Sequence, residues 1–522
     1  MHRRRFLAGL SGLALAACSG SGQAEAPPTT AGATSTSGPD PQPDASTAPA
    51  PPTTTEPGTD WRPAVPAVAP FALGVASGDP TADAVAIWTR LIDDPLTGAG
   101  PDGPVEVRWE VASDPDLDDV VAGGVTTADA ASAHAVQVVV EGLDAGSVWF
   151  YRFSVGDERS MVGRTRTAPS GGADRLRLAV ASCQRYQDGT YVAHRHLAEA
   201  DVDVVLFLGD VIYADGGGGA DDVRPYDSSP PRDLDAFRRR HARYRSDPDL
   251  QACLAAHPWV VTRDDNDVTN GWGPDSDLRV PAEQALVEHH PMRRSGDDLR
   301  RAIGWGDLAD LLLVDVRPHR SPRAGREASL GAVAADASLR ADDRTMLGPE
   351  QETWLGERLG ASNARWQLVA SQVMVGDLSV ELGGDTLLNN DQWDGYPAAR
   401  RRLVDQLRAA PAPIVLAGDL HSGVIDVLRD GDGEVVATEL VTPSISSAVD
   451  DRIATAVSAA PLFRSDLLEV RGGVNGWVEL TVGPERTRAE IVVIDAIDPA
   501  AEPTVAVSAL IDRAGGPPTV TG

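Results

Sequence analysis

The sequence predicts a layered α/β domain preceded by a small all-β module. Two observations lead to this prediction. Between residues 71 and 167, short apolar runs alternate with period two and are separated by turn residues. After residue 170, strongly apolar runs such as 176–181 and 202–208 alternate with stretches of helical periodicity. The first pattern is typical of a β-sandwich, and the second is typical of a sheet covered by helices.

The all-β module is assigned to residues 61–169. The connection at 142–146 is short, contains two glycines and precedes an aromatic strand, which is typical of a fibronectin type III-like module. Such a module by itself predicts packing or covering rather than chemistry. Its clearest strands are predicted at 84–89, 105–111, 135–140 and 147–153.

The α/β domain is assigned to residues 170–500, and residues 501–522 are assigned to a C-terminal tail. Apolar runs of strand length alternate with longer stretches of helical period through this region, which favours a layered sheet. Its later strands are predicted at 311–314, 366–370 and 414–417, with helices at 349–359 and 398–409 between them.

The composition indicates an ordinary soluble globular protein with an acidic surface. The 522 residues are 42% hydrophobic and 24% charged, and the formal net charge is −31. Such a surface repels polyanions, which argues against a nucleic-acid-coating role. The acidity leaves two compatible interpretations open: a solvated surface, or a set of carboxylates that bind metal. The three cysteines are too few and too scattered for a disulfide framework.

Residues 1–18 have the basic start and short apolar stretch of a signal peptide. Arg3 and Arg4 look like a twin-arginine signal, which exports proteins that fold and load cofactors first, so the twin-arginine machinery is an expected partner. The apolar stretch is too short to span a bilayer. Residues 15–18 resemble a lipobox in which Cys18 is acylated, and the alternative is a plain cleaved signal with an incidental cysteine.

Residues 19–60 are nearly all Ala, Pro, Thr, Ser, Gly and Asp. This composition predicts a disordered spacer, because it offers too little apolar area to offset the entropy of the chain. The spacer would hold the catalytic part off a surface.

Polar side chains cluster where four predicted strands end, which is where α/β sheets place their ligands. Cys183 follows the first strand, Asp210 and Tyr213 follow the second, and the acidic run 263–270 follows the third. Asp419 and His421 follow a fourth. This mixture of carboxylate, imidazole, thiolate and phenolate suits transition metals and Ca²⁺, so the sequence predicts a metal cluster. The glycines before Asp210 and Asp419 support it, since a sharp turn is needed to aim each carboxylate.

From Phe71 to about Asp495 the chain resembles the alkaline phosphatase D family of calcineurin-like metallophosphoesterases, including that family's N-terminal sandwich. Many long motifs occur in the expected order, which makes the resemblance specific. They lie at residues 72–80, 88–90, 182–184, 208–213, 315–317, 347–355, 372–374, 391–397, 418–422 and 441–444.

The resemblance implies a metallophosphoesterase core, a two-layer β-sandwich flanked by helices, with ferric iron and calcium. This hydrolase would cleave phosphomonoesters, phosphodiesters or both by attack of a metal-bound water or hydroxide, and no protein nucleophile is required. By position, Cys183, Tyr213 and His421 would bind iron, and Asp210 would bridge the two metals. Asp419 and Asn270 would bind calcium, with Asp265 beside Asn270.

The sequence departs from the family pattern at Asn266, where the family commonly has His, and at Gly271, where it has a second Asn. Asn266 can donate a hydrogen bond but cannot supply a proton at neutral pH. If that His acts as an acid, its loss removes a contribution of about 100-fold or more.

Several other polar residues are assigned no catalytic role. His194 is expected on the surface, and the arginines of 238–245 are expected on a solvated face or, alternatively, as an attractor of phosphate esters. Glycines 216–219 suggest a lid or rim, and Cys253 is expected to be buried and inert. For Arg317 and Arg320, phosphate clamps and buried ion pairs both stay open.

These observations predict an exported, monomeric phosphoesterase whose only contact with the membrane is a lipid anchor. It would lie at the outer face of the cytoplasmic membrane or cell envelope, or be released from the cell. The alternative is a surface-displayed binding protein that keeps the fold without turnover. Asn266 motivates this alternative, and the retained candidate ligands argue against it.

Overall fold

The computed structural model describes residues 61–215, 222–224, 229–294, 299–327, 333–448 and 467–522. The predicted signal peptide with Cys18, the spacer 19–60 and the glycines 216–219 lie outside the described residues. Within the described ranges, no helix is both long and apolar enough to cross a membrane.

Residues 61–169 form eight strands and one short 3₁₀ helix, Ala130–Ser132. Alternation of buried and exposed side chains along several of them explains their strand conformation. The strands are β1 (Val75–Gly78), β2 (Ala84–Arg90), β3 (Val105–Ala112), β4 (Val120–Ala128), β5 (Ala135–Glu141), β6 (Val148–Val155), β7 (Glu158–Arg159) and β8 (Gly163–Arg166).

The rest of the described chain combines strands with helices, which intermingle up to residue 408 as predicted, and eight strands follow the last described helix. The strands are β9 (Leu176–Ala181), β10 (Val204–Leu208), β11 (Pro258–Thr262), β12 (Arg301–Trp305), β13 (Ala309–Leu313), β14 (Arg326–Glu327), β15 (Val333–Ala334), β16 (Trp366–Ala370), β17 (Val380–Leu382), β18 (Asp385–Leu388), β19 (Pro413–Ala417), β20 (Gly423–Arg429), β21 (Val435–Val441), β22 (Glu469–Arg471), β23 (Asn475–Val482), β24 (Arg486–Ile494), β25 (Thr504–Asp512) and β26 (Thr519–Thr521). The helices are α1 (Val192–Glu199), α2 (Leu234–Arg245), α3 (Pro248–Ala256), α4 (Arg279–His289), α5 (Pro349–Ala361) and α6 (Pro397–Arg408), with a 3₁₀ turn at Trp393–Gly395.

Two large sheets pack face to face. One has ten strands in the order β26-β25-β24-β23-β9-β10-β11-β1-β2-β5, and the other has seven in the order β12-β13-β16-β19-β21-β20-β22. A single apolar cluster fills the space between them, with Leu178 and Leu206 from the first sheet and Leu311, Leu368 and Ile414 from the second. The carboxyl ends of β11 and β13 lie close together, because Arg263 and Asp315, which follow them, form an ion pair. Those of β9 and β19 do so too, because a Cβ atom at Gly418 would lie 2.8 Å from Ser182 Oγ.

Helices cover the outer faces of both sheets. Helices α1 to α4 share an apolar cluster with Phe207 and Trp259 of the ten-stranded sheet. Helices α5 and α6 pack in the same way on Leu312, Val369 and Val415 of the seven-stranded sheet. Along β10, Leu206 faces the opposing sheet and Phe207 faces the helices, because successive side chains of a strand point to opposite faces.

The ten-stranded sheet continues across the predicted boundary at residue 169. Strand β1 pairs in parallel with β11, with Ser77 opposite Pro258, and β2 and β5 follow it. The other five strands of the N-terminal part, β3, β4, β6, β7 and β8, form a second sheet that packs against these three. The N-terminal part is thus a sandwich with one layer built into the catalytic sheet.

The prediction that residues 501–522 form a C-terminal tail is wrong. Strand β25 pairs along its length with β24, and β26 pairs with β25. Val507, Ala509 and Ile511 are buried in the cluster between the two large sheets. Their alternation with exposed or half-buried residues is the period of a half-buried strand.

Candidate metal centre

The predicted ligands lie at the carboxyl ends of neighbouring strands. Cys183 follows β9, Asp210 follows β10, Asp265 follows β11, and Asp419 and His421 follow β19. The first three strands are adjacent in the ten-stranded sheet, and β19 belongs to the opposing sheet. The site therefore lies at the edge where the two sheets meet.

Four of the predicted ligands have a left-handed backbone. The φ angles are 60° at Cys183, 57° at Asp210, 63° at Asp419 and 50° at His421. This conformation costs about 1–2 kcal/mol for a residue with a Cβ atom. Strain of this kind clusters at functional sites, where the surrounding structure holds it in place.

The glycine before Asp210 is required by space as well as by conformation. Gly209 has a φ of +100°, and a Cβ atom there would lie 2.4 Å from the backbone nitrogen of Asp264. A Cβ atom at Gly418, before Asp419, would lie 2.8 Å from Ser182 Oγ. Both glycines thus allow the turns to approach each other closely, which adds a reason to the sharp turn for which the sequence analysis invoked them.

Two groups of candidate ligand atoms converge at these turns. One atom each from Cys183, Asp210 and His421 lie within 4.8 Å of one another, and so do atoms of Asp210, Asp264 and Asp265. Tyr213 Oη lies 3.1 Å from His421 Nε2, which places the phenol beside the first group. Asp210 belongs to both groups, so its carboxylate is in the position that a bridging ligand needs.

Asp419 and Asn270 lie outside the two groups of close candidate ligand atoms. Asp419 belongs to neither group, and one of its carboxylate oxygens lies 3.8 Å from the guanidinium of Arg317. Asn270 is exposed at the outer end of the turn after β11. In the same turn, Gly271 N donates to Asp265 Oδ2 at 2.7 Å. The roles of Asp419 and Asn270 as metal ligands stay predictions.

The electrostatics of the site favour a bound cation. Burial, followed by the neighbouring Asp265 and Asp267, raises the pKa of Asp210 well above its usual range. Burial and then Asp265 raise the pKa of Asp419 to about 7. Burial also raises the pKa of the Cys183 thiol and lowers that of His421. Several buried anionic ligands repel one another here, and a metal ion would offset this repulsion.

Asn266 and Asp267 hold the turns together. The Asn266 side-chain amide donates to Asp210 Oδ2 and to Asp265 Oδ1, both at 2.9 Å. Asp267 accepts hydrogen bonds from the backbone nitrogens of Asp210, Ile212 and Asp264 at 2.8–3.1 Å. Neither role was predicted, although both residues lie in the acidic run noted above.

Arg317 is a buried ion-pair partner rather than an exposed phosphate clamp. Its side chain has no exposed surface, and it donates to Asp264 Oδ1 at 2.5 Å and to Asp391 Oδ2 at 2.6 Å. Arg320 lies 2.8 Å from the other oxygen of Asp391. Although burial alone would raise the pKa of Asp391, these two arginines hold it below its usual range. The sequence left the two roles open because the partners Asp264 and Asp391 are 53 and 74 residues away from Arg317 along the chain.

Two further residues support the predicted ligands without any signal in the sequence pattern. Ser447 Oγ lies 2.9 Å from Tyr213 Oη, and Gln392 donates to Asp419 Oδ2. Both contacts join segments more than twenty residues apart along the chain. Local spacing cannot reveal such pairs.

Two of the surface predictions are wrong. His194 is fully buried on α1, with its Nε2 2.8 Å from Gln184 Oε1. Its three-residue spacing from buried Leu197 is the signal that was overlooked. Arg240 and Arg245 of α2 are also buried, and Arg240 donates to the carbonyls of Tyr213 and Asp215. Cys253 is buried, as expected.

Comparisons with known proteins agree with this architecture. Residues 178–491 match the family model of the PhoD-like phosphatases, and residues 58–169 match the model of their N-terminal domain. The chain is 36% identical over 469 residues to alkaline phosphatase D of Bacillus subtilis (strain 168), covering 84% of this chain and 79% of that protein. It superposes on the solved structure of PhoD with a TM-score of 0.81 at 33% identity, covering 87% of this chain and 92% of that one.

The fold and the family match define a hydrolase that acts on phosphate esters. The chain belongs to the PhoD-like phosphatase family. The resemblance to the alkaline phosphatase D family and the prediction of a phosphoesterase are thereby confirmed.

Proposed function

We propose that this phosphatase is an exported, metal-dependent enzyme that cleaves phosphomonoesters, phosphodiesters or both. The main support for metal dependence is the position of Asp210, because this residue belongs to both groups of close candidate ligand atoms. A buried carboxylate surrounded by other carboxylates is stable as an anion only when a cation lies nearby.

The donor set fits the proposed ions. Cys183, Tyr213 and His421 offer a thiolate, a phenolate and an imidazole, which suit ferric iron. Asp265, Asp419 and Asn270 offer oxygen ligands, which suit calcium, and Asp210 would serve both. When bound, the metals would lower the pKa of a water molecule and neutralise charge on the phosphate oxygens.

The side chains around the predicted ligands would hold the carboxylates in place. Asn266 orients two carboxylates through its amide, and Arg317 fixes Asp264 and Asp391. Arg323, with a side chain 47% exposed, lies 3.6 Å from Asp391 and adds positive charge beside the Arg317–Asp391 pair, which would attract an anionic ester. No proton donor is present at Asn266, so the leaving group must take its proton from water or from another group.

The key experiment combines elemental analysis with hydrolysis assays. Protein exported from its native host should contain about one iron per chain and should hydrolyse chromogenic phosphomonoesters or phosphodiesters, more rapidly with added calcium. The rates of hydrolysis of the two substrate types show which one the enzyme prefers. Metal without hydrolysis of either substrate would favour the alternative binding protein, and no metal would contradict the site.

A conservative substitution tests the shared carboxylate. Asp210→Asn should remove bound metal and reduce turnover about 100-fold or more, because the charge is lost while the side-chain volume is kept. The matched control is Asp342→Asn, whose carboxylate is 94% exposed. Full activity in the Asp210 variant would overturn the assignment.

We further propose twin-arginine export and a lipid anchor at Cys18, supported by the pattern of residues 1–18. Cys18→Ser should shift the protein from the membrane fraction to the medium without changing its specific activity. Retention of this variant on membranes would contradict the anchor. We also propose that the protein is a monomer and that its N-terminal part is a fibronectin type III-like module.

A further inference from the structure

A small cavity lies beneath the turns that carry the predicted metal ligands. Its volume is about 10 Å³, which is room for one species of about the size of a water molecule. Gln184, Val211 and Ile212 line one side, next in the chain to Cys183 and Asp210. Arg245, His241 and His290 line another side.

The polar groups at this cavity include nitrogen atoms without partners. Arg245 is 2% exposed, and none of its three guanidinium nitrogens has a hydrogen-bond partner in the described part of the chain. The same is true of His241 Nε2 and His290 Nδ1. The residues that line this cavity therefore carry five buried nitrogen atoms without a partner, of which the three of Arg245 are donors, whereas buried polar groups are normally paired.

The charge around the cavity is positive. Burial lowers the pKa of Arg245 to about 9, so this side chain is still a cation at neutral pH. Its guanidinium carbon lies 4.0 Å from the centre of the Trp88 ring, which offsets the buried charge only in part. Burial and then the cations Arg245, Arg90 and Arg240 lower the pKa of His241 to about 3, so His241 is neutral. Among the described residues, no carboxylate pairs with Arg245.

We propose that this cavity binds one monatomic anion, of which chloride is the common example. An anion would accept hydrogen bonds from the guanidinium and would also compensate its charge, which a water molecule cannot do. The small volume favours a monatomic anion over the larger phosphate and sulfate ions. The site is separate from the predicted metal ligands, and its occupancy does not depend on the proposed activity.

Bromide gives a direct test in the unaltered protein. Crystals grown or soaked in sodium bromide should show an anomalous peak at the Arg245 guanidinium, on the side of His241 and His290. An ordered water in the cavity with no bromide would overturn the proposal.

A second test uses thermal unfolding at equal ionic strength in sodium chloride and in sodium gluconate. Binding to the folded state alone should raise the unfolding midpoint by about 1–3 °C in chloride. Arg245→Met should abolish this difference, and Arg239→Met, an exposed arginine on the same helix, should keep it. An equal chloride effect in both variants would contradict the site, and the bromide test decides if the Arg245 variant does not fold.

Discussion

At the scale of single residues, the candidate site includes side chains that contact the predicted ligands without being predicted ligands themselves. Asn266 is the clearest case, because its amide is shared by Asp210 and Asp265. The sequence revealed that a proton donor is missing at this position. It could not reveal the two hydrogen bonds, because the partner Asp210 is 56 residues away.

The missing acid leads to a prediction about leaving groups. Asn266→His should raise kcat about 10-fold or more for alkyl phosphates, whose poor leaving groups need a proton, and should change little for nitrophenyl phosphate. Plots of rate against the pKa of the leaving group for both proteins would check this. An equal gain for both classes of ester would contradict the role as an acid.

Arg317 leads to a prediction about stability. Arg317→Met should lower the free energy of unfolding by about 3–5 kcal/mol, because it leaves the buried Asp264 without its cation, whereas Asp391 keeps Arg320 at 2.8 Å. Urea unfolding is the measurement. Arg323→Met removes a half-exposed cation 3.6 Å from the same Asp391 and should cost about 0–1 kcal/mol. Similar costs for the two variants would contradict the buried ion pair.

His257 provides a pH-dependent contribution to stability. Burial, helped by Arg164, lowers its pKa from 6.5 to about 4 in the folded protein. Below pH 6.5 the unfolded chain binds a proton that the folded chain does not, so stability is lost as the pH falls from 6.5 towards 4. Between pH 7 and 5 this loss is about 2 kcal/mol. Unfolding of His257→Gln should therefore show a pH profile that is less steep by this amount, and an unchanged profile would contradict it.

At the scale of elements, the turns after the strands were predictable and the pairing of the strands was not. Apolar runs and the glycines before Asp210 and Asp419 mark the strand ends locally. The pairing of β1 with β11 joins residues about 180 positions apart, and period-two alternation does not identify such a partner. Strand β25 was missed because its inward residues include a small alanine, Ala509, which weakens the apolar signal.

Gly209 allows a test of one turn. Gly209→Ala should destabilise the fold and reduce metal binding, because its Cβ atom would collide with the backbone of Asp264. Gly142→Ala has a similar positive φ of +79° with open space around it, so it should cost about 1–2 kcal/mol and leave metal binding unchanged. Elemental analysis and urea unfolding of both variants check this. Equal losses of stability and of bound metal in the two variants would show that the cost comes from backbone strain alone and not from the collision with Asp264.

At the scale of the whole molecule, the N-terminal sandwich and the catalytic sheet are one structure. Trp88 of β2 is fully buried among residues of the catalytic core, and its indole donates to the carbonyl of Glu288 at 2.8 Å. The sequence predicted two domains because the pattern changes near residue 170. A change of local pattern does not show whether hydrogen bonds cross the boundary.

Deletion of the N-terminal part tests whether the two parts fold as one unit. A chain lacking residues 61–169 should not fold cooperatively, because β11 would lose its neighbour β1 and the core would lose Leu73, Ala76 and Trp88. Scanning calorimetry of the full chain should show one transition. A soluble, cooperatively unfolding fragment from residue 170 onwards would contradict this prediction.

The strand order of the large sheet also has a consequence for biosynthesis. Strand β9, at the centre of the sheet, has Leu178 opposite Leu480 of β23, about 300 residues later in the chain. At translation rates of about 5–20 residues per second, β9 waits at least about 15 s for this neighbour. The sheet can therefore be completed only when nearly the whole chain has left the ribosome, so its open edge needs protection from aggregation while synthesis continues.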